Sequence, residues 1–164
     1  MSTMSVKLGS PGGRALVIAL RLAVAAVLVW AGVPKLLDPV AFANDISNYH
    51  LLPDVVLGPA AVLTPVIELV VAAALVAGVH ARGGALVAAA MFLVFTAAML
   101  QAMARGIDLD CGCFGRDASA RVGWTSVARN AALLAASALV VMAPDAPWRR
   151  RRTDETATRK KPGD

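Results

Sequence analysis

Charged residues are scarce in this 164-residue chain: Asp, Glu, Lys and Arg make up 16% of it, and hydrophobic residues make up 58%. A typical soluble domain is about 25% charged. This composition argues against a chain that is intrinsically disordered throughout, which would combine low hydrophobicity with high charge. The net charge is nevertheless +5, and seven of the 16 Lys and Arg residues follow residue 148. The pattern indicates a small membrane protein with a basic tail rather than a soluble nucleic-acid-binding domain.

Cysteine and histidine are also scarce, with two residues of each type in the chain. Two cysteines cannot form the framework of a small, disulfide-rich secreted domain. Two thiolates without a nearby histidine also fall short of the four ligands of a structural zinc site. We therefore expect neither a disulfide scaffold nor a bound metal.

Long apolar segments are abundant by contrast, and four of them cover residues 15–33, 55–79, 85–103 and 124–142. Each approaches or exceeds the length of about 20 mostly apolar residues that a transmembrane helix needs. Each is apolar on all sides, as in helices that contact lipid or a deep core. The sequence therefore predicts an all-α integral membrane protein, a four-helix bundle over residues 15–143. Residues 1–14 precede the bundle, and residues 144–164 form a basic tail that we expect to be disordered.

The distribution of Lys and Arg predicts the orientation of these helices in the plasma membrane. The basic tail favours cytoplasmic termini, and the first segment is expected to be retained rather than cleaved as a signal peptide. The connection between the first two segments then lies outside. There, Asp38-Pro39 resembles a helix start, with a capping acid before a first-turn proline. Phe42, Ile46 and Tyr49 share one face of this short helix, which predicts that it lies on the membrane surface.

Both cysteines lie in the other outer connection, in the run Cys111-Gly112-Cys113-Phe114-Gly115. A disulfide between them would close a very small ring, and the glycine between them tolerates the backbone angles that such a ring needs. It would add little entropic stability, because it closes almost no loop. Strained, exposed disulfides are the labile or catalytic ones. The pair is therefore interpreted as an extracytoplasmic thiol–disulfide site, with a static staple or two free thiols as the alternative.

Several basic residues are expected near the cysteine pair. Lys35 ends the first apolar segment on the outer side, and Arg105, Arg116 and Arg121 share the cysteine connection. Cations favour the thiolate form of cysteine, whereas the neighbouring acids oppose it. A solvated loop of mixed charge is the alternative interpretation for the three arginines.

Three charged residues lie inside the apolar segments, where ionisable groups are costly and face a partner or a cavity. The expected depths of Arg21 and Glu68 predict an intramembrane Arg21–Glu68 pair, and the alternative is that Arg21 extends alone to the inner surface. Arg129 lies beneath the cysteine connection, close to Asn130 and Gln101. These three could form a polar pocket for a quinone headgroup, or they could anchor loop carbonyls.

The cysteine motif, placed between the third and fourth segments, resembles that of the MauE proteins of the DoxX-like superfamily. Residues 32–36 with Asp38-Pro39, together with Arg21, Glu68 and Gly78, resemble the first two helices of that superfamily. The resemblance implies a four-helix membrane protein linked to methylamine utilisation. It also implies a role in the maturation of the disulfide-rich small subunit of methylamine dehydrogenase, together with a thioredoxin-like partner.

Several assignments follow from this resemblance. Cys111 and Cys113 would be the redox pair of a thiol–disulfide oxidoreductase, or of an accessory component of one, and Gly112, Phe114 and Gly115 would support them. A single pair in one connection cannot carry electrons across the bilayer by thiol exchange alone, so a quinone or another protein would be needed.

Two further interpretations belong to other classes of protein. One is a non-catalytic membrane anchor or assembly subunit whose cysteines only shape a loop. The other is a small transporter that uses Glu68 as a proton site. The basic tail is expected to contact anionic lipid, so no interpretation requires nucleic acid.

Overall fold

The computed structural model describes residues 11–106 and 124–143, which form helices joined by short turns. The five helices are α1 (Pro11–Leu37), α2 (Pro39–Asn48), α3 (Asp54–Ala77), α4 (Ala81–Ala104) and α5 (Trp124–Met142). All except α2 are long and apolar enough to cross a membrane, which confirms the predicted four-helix architecture. α1 ends four residues later than the predicted segment, and α4 begins four residues earlier. The cysteine motif, most of the N-terminal segment and the basic tail lie outside the described residues.

α2 begins where the sequence predicts a helix start. The Asp38 side chain accepts a hydrogen bond of 2.9 Å from the backbone N–H of Ala41, and Pro39 occupies the first turn. This cap satisfies a backbone donor that has no partner within the helix. Phe42 is the buried residue of α2, so one face of this helix packs inward. The short helix is thus confirmed, whereas its location on the membrane surface stays a prediction.

The helices pack mainly as two antiparallel pairs, α1 with α3 and α4 with α5, and α2 packs against α3. Their buried faces meet in one apolar core, which includes Val24, Leu28, Val71, Leu75, Ala88 and Phe92. Other large apolar side chains face outward, such as Val70 and Leu93. A soluble bundle would cover its outer face with polar residues, so these outward faces suit contact with lipid.

Two polar contacts show which helix ends lie together. The Arg105 side chain donates to the backbone oxygen of Tyr49 at 3.3 Å, which joins the end of α4 to the end of α2. The Arg82 side chain donates to the backbone oxygen of Ala143 at 3.0 Å, which joins the start of α4 to the end of α5. The α2–α3 connection and the end of α4, which leads to the cysteine motif, therefore share one end of the bundle.

Gly78 ends α3 in the left-handed conformation, with φ of +71°. A Cβ atom at this position would lie 3.2 Å from Nη1 of Arg21. We expect Gly78→Ala to destabilise the protein by about 1–2 kcal/mol, because L-residues disfavour this conformation. Gly83→Ala is the matched control: its added Cβ would meet its nearest atom at 4.0 Å, and Ala favours a helix by about 0.5–1 kcal/mol. Thermal unfolding in detergent measures both effects, and equal losses would contradict this explanation.

Candidate functional site

Glu68 lies near the middle of α3 and is 1% exposed. Along the helix axis, Glu68 lies about 21 Å from the first residue of α3, at a rise of 1.5 Å per residue. Its carboxylate oxygen Oε1 lies 2.6 Å from Nζ of Lys35, which belongs to the last turn of α1. The Lys35 side chain is 3% exposed. A complete ion pair is thus buried in the membrane-spanning part of the bundle.

Two aromatic rings flank the ammonium group of this pair. Nζ of Lys35 lies 5.0 Å from the centroid of the Phe42 ring and 5.2 Å from that of the Phe95 ring. Cation–π contacts of this kind contribute about 0.5–2 kcal/mol each. The ammonium therefore contacts groups from α2, α3 and α4, although it belongs to α1. We call Lys35, Phe42, Glu68 and Phe95 the Lys35 cluster.

Gly32 brings α1 close to the carboxylate. A Cβ atom at Gly32 would lie 3.1 Å from Oε2 of Glu68 and 3.3 Å from Cβ of Glu68. The missing side chain therefore permits a close approach between α1 and α3 at the level of the Lys35 cluster. Oε2 of Glu68 is buried and has no hydrogen-bond partner among the described residues. The carboxylate is thus fully desolvated but bonded through one of its two oxygens.

The inward position of Lys35 follows from helix geometry. Side chains of an α-helix point back toward its N-terminus, so a residue in the last turn of α1 is directed toward the middle of the bundle. Pro34 lies inside α1 and cannot donate a backbone hydrogen bond to the preceding turn. The turn that carries Lys35 is therefore held by fewer backbone hydrogen bonds than the rest of α1.

The structure corrects the expected Arg21–Glu68 pair, since Lys35 is the cation bound to Glu68. The Arg21 guanidinium lies beside Gly78 at the end of α3, and its Nε atom is buried without a hydrogen-bond partner among the described residues. Gly32, and not Arg21, faces Glu68 across the α1–α3 contact. Along α1, Gly32 and Arg21 are about 16 Å apart, and this distance exceeds the reach of an arginine side chain.

The sequence predicts Lys35 at the outer end of the first segment, whereas its side chain is 3% exposed; its support of the cysteines stays a prediction. Its ammonium is buried in the bundle, about 15 Å below Arg105 as measured along α4 from Phe95. Sequence reasoning missed Phe95 altogether, because nothing distinguishes it from its apolar neighbours in α4. The inward position of Lys35 could have been predicted, because side chains at the end of a helix point back toward its N-terminus.

The residues proposed for a quinone pocket lie in different environments. Asn130 is buried on α5, whereas Arg129 and Gln101 are exposed. The described parts of the chain therefore do not gather these three side chains on one buried face, and the quinone pocket stays a prediction. The motif Cys111–Gly115 lies outside the described residues, so the predicted roles of its residues also stay predictions.

Residues 13–143 match the family described as methylamine utilisation protein MauE. The chain belongs to the MauE family. It is 38% identical over 118 residues to the methylamine utilization protein MauE of Paracoccus denitrificans, covering 71% of this chain and 63% of that protein. It is 39% identical over 123 residues to the MauE of Methylophilus methylotrophus, covering 74% and 65%.

A third MauE relative, from Methylorubrum extorquens, is 35% identical over 123 residues, covering 74% of this chain and 66% of the relative. The chain thus spans slightly less than two thirds of the length of these curated MauE relatives. No solved structure matches the chain.

Proposed function

We propose that this membrane protein supports methylamine utilisation through thiol–disulfide exchange at Cys111 and Cys113. Its target would be a disulfide-rich protein such as methylamine dehydrogenase, whose maturation it would assist. Membership in the MauE family carries this proposal, since the relatives are named for methylamine utilisation. The position of both cysteines in a single connection between α4 and α5 supports the proposed mechanism.

The proposed exchange needs no oxidant other than the disulfide of the partner. A thiolate from one cysteine attacks a sulfur of a partner disulfide, so an intermolecular S–S bond forms and the other partner sulfur leaves as a thiolate. The second cysteine then attacks the mixed disulfide. This step forms a Cys111–Cys113 bond and releases the partner as a dithiol, which takes up the two protons that the cysteines lost. The same steps in reverse oxidise a partner dithiol.

The proposal includes an orientation and a partner. We place both termini in the cytoplasm and the cysteine connection outside, on the basis of the Lys and Arg distribution. The partner would be an extracytoplasmic protein of the thioredoxin-like type. The α2–α3 connection lies at the same end of the bundle as the end of α4, so it would belong to the surface that the partner meets. The resemblance of α1 and α3 to DoxX-like helices is part of the same proposal.

Trapping of a mixed disulfide tests the redox mechanism. We expect Cys113→Ser or Cys111→Ser to accumulate a covalent complex in membranes, because each variant lacks the second cysteine whose attack would release the partner. Non-reducing gels and mass spectrometry would detect the complex and identify the partner. The double variant is the matched control and should form none. The mechanism would be wrong if neither single variant formed a complex and the double variant kept full substrate oxidation. That result would favour the assembly-subunit interpretation.

A further inference from the structure

We propose that Glu68 and Lys35 form a proton-exchange site, in which protonation of Glu68 releases the Lys35 ammonium and frees α2 from the bundle. This inference does not depend on the thiol–disulfide proposal. One proton from water forms an O–H bond on the Glu68 carboxylate, and the ion pair with Nζ of Lys35 is lost. The net charge of the pair changes from zero to +1, and no electrons are transferred.

The incomplete hydrogen bonding of Glu68 is the first support. A buried ion pair offsets the desolvation of its charges only with good geometry and additional hydrogen bonds. Here Oε1 accepts one bond of 2.6 Å, and Oε2 is buried without a partner among the described residues. The charged form of Glu68 thus depends on a single bond to Lys35. A buried carboxylate inside a membrane protein is, in general, a candidate for proton exchange.

The position of Lys35 is the second support. An ammonium without a counter-ion is costly in an apolar interior, and the two flanking rings offset this cost in part. Once Glu68 is neutral, the ammonium is driven toward water. Its turn of α1 lacks the hydrogen bond that Pro34 cannot donate, and Asp38 follows three residues later as an exposed carboxylate. Lys35 therefore has a weakly held backbone and lies two residues from the exposed end of α1.

The contact with Phe42 connects this movement to α2. Phe42 is the buried residue of α2, and its ring packs over the Lys35 ammonium. Removal of the ammonium withdraws the cation–π contact that holds this ring in the bundle. The far end of α2 meets Arg105 through the backbone oxygen of Tyr49. The proton state of Glu68 would thereby alter the end of the bundle from which the cysteine connection starts.

Other charged groups do not compete for this role within the described residues. Along α1, the remaining basic residue near the core is Arg21, which lies at the end of α3 beside Gly78. Asp38, which precedes α2, is exposed, Asp45 of α2 is partly exposed, and Arg129 of α5 is exposed. α4 carries no titratable side chain between Arg82 and Arg105. Lys35 is therefore the charged group that faces Glu68 from the helices packed around it.

Carbodiimide labelling of the full chain in phosphatidylcholine vesicles tests proton uptake. Dicyclohexylcarbodiimide is an apolar reagent that modifies protonated carboxyl groups. We expect labelling of Glu68, mapped by mass spectrometry, to rise about tenfold for each unit of falling pH until it levels off. Asp54→Asn, which removes an exposed carboxylate from the same helix, should behave as the wild type, and Glu68→Gln should lose the mapped label. Labelling that is absent at every pH, or that does not change with pH, would overturn the proposal.

Hydrogen exchange of the α2 amides tests the release of this helix. Glu68→Gln mimics the neutral acid, so its α2 should exchange rapidly at every pH after correction for intrinsic rates. Wild-type α2 should be protected at alkaline pH and should approach the rate of the variant at acidic pH. A wild-type to variant ratio that stays constant across this range would overturn the release step, even if Glu68 is labelled.

Discussion

Replacement of Lys35 by Met is expected to lower the free energy of unfolding by about 3–5 kcal/mol, because it leaves the Glu68 carboxylate buried without a counter-ion. Glu68→Met should cost a similar amount, since it leaves the ammonium unpaired. The double variant should recover most of the loss, because apolar residues of similar volume often replace a buried pair at little cost. Reversible unfolding in mixed micelles measures the four proteins of this double-mutant cycle.

Arg21 provides the matched control for this cycle. Arg21→Met and Glu68→Met should have additive effects, because Arg21 lies beside Gly78 and not beside Glu68. Additive losses for Lys35 and Glu68, or strong coupling between Arg21 and Glu68, would contradict the ion pair described here. Both cycles share the Glu68 variant. A general loss of folding would therefore affect both cycles equally and could not produce coupling in one and additivity in the other.

Replacement of Gly32 by Leu is expected to cost about 3 kcal/mol, at the upper end of the usual range for an overpacked interior. The added atoms would enter the space between α1 and the Glu68 carboxylate, where a Cβ alone would already approach Oε2 to 3.1 Å. α1 could accept them only by moving away from α3, which would lengthen the Lys35–Glu68 contact. Gly32→Ala should show the same effect in weaker form.

Gly58→Leu is the control for this substitution. Gly58 lies in α3, and an added Cβ would meet nothing within 4 Å, so the larger side chain should be tolerated and the helix slightly favoured. Thermal unfolding of the three variants in one detergent is the measurement. A loss at Gly58→Leu as large as that at Gly32→Leu would show that the cost arises from the helix itself and not from the contact with Glu68.

The sequence predicts the helices well, because each helix depends on features of residues that are close together in the chain. Four long apolar runs are sufficient to specify helices that can cross a membrane, and Asp38-Pro39 is sufficient to specify the start of α2. The end of α1 was less predictable. The apolar pattern places Pro34 outside the first segment, but in the last turn of a helix a proline removes one hydrogen bond without ending the helix.

The Lys35 cluster could not be predicted in the same way, because it depends on the register between helices. Depth along each segment predicts a pair between Arg21 and Glu68 and places Lys35 at the outer surface. The register is fixed by the close contact at Gly32, which brings the end of α1 to the level of Glu68. Phe95 contacts the Lys35 ammonium because of its position in the bundle, and the residues around it in the sequence do not indicate this contact.

The ion pair also constrains the order in which the chain enters the membrane. Its two charges are 33 residues apart in sequence, so Lys35 is synthesised well before its counter-ion. A single charge near the centre of a helix opposes insertion by about 2.5–3.5 kcal/mol. α1 alone would carry part of this cost into lipid, whereas α1 and α3 entering together would carry a neutral pair. The α1–α3 unit therefore carries the Lys35–Glu68 pair into the membrane at a lower cost than either helix would carry its own charge.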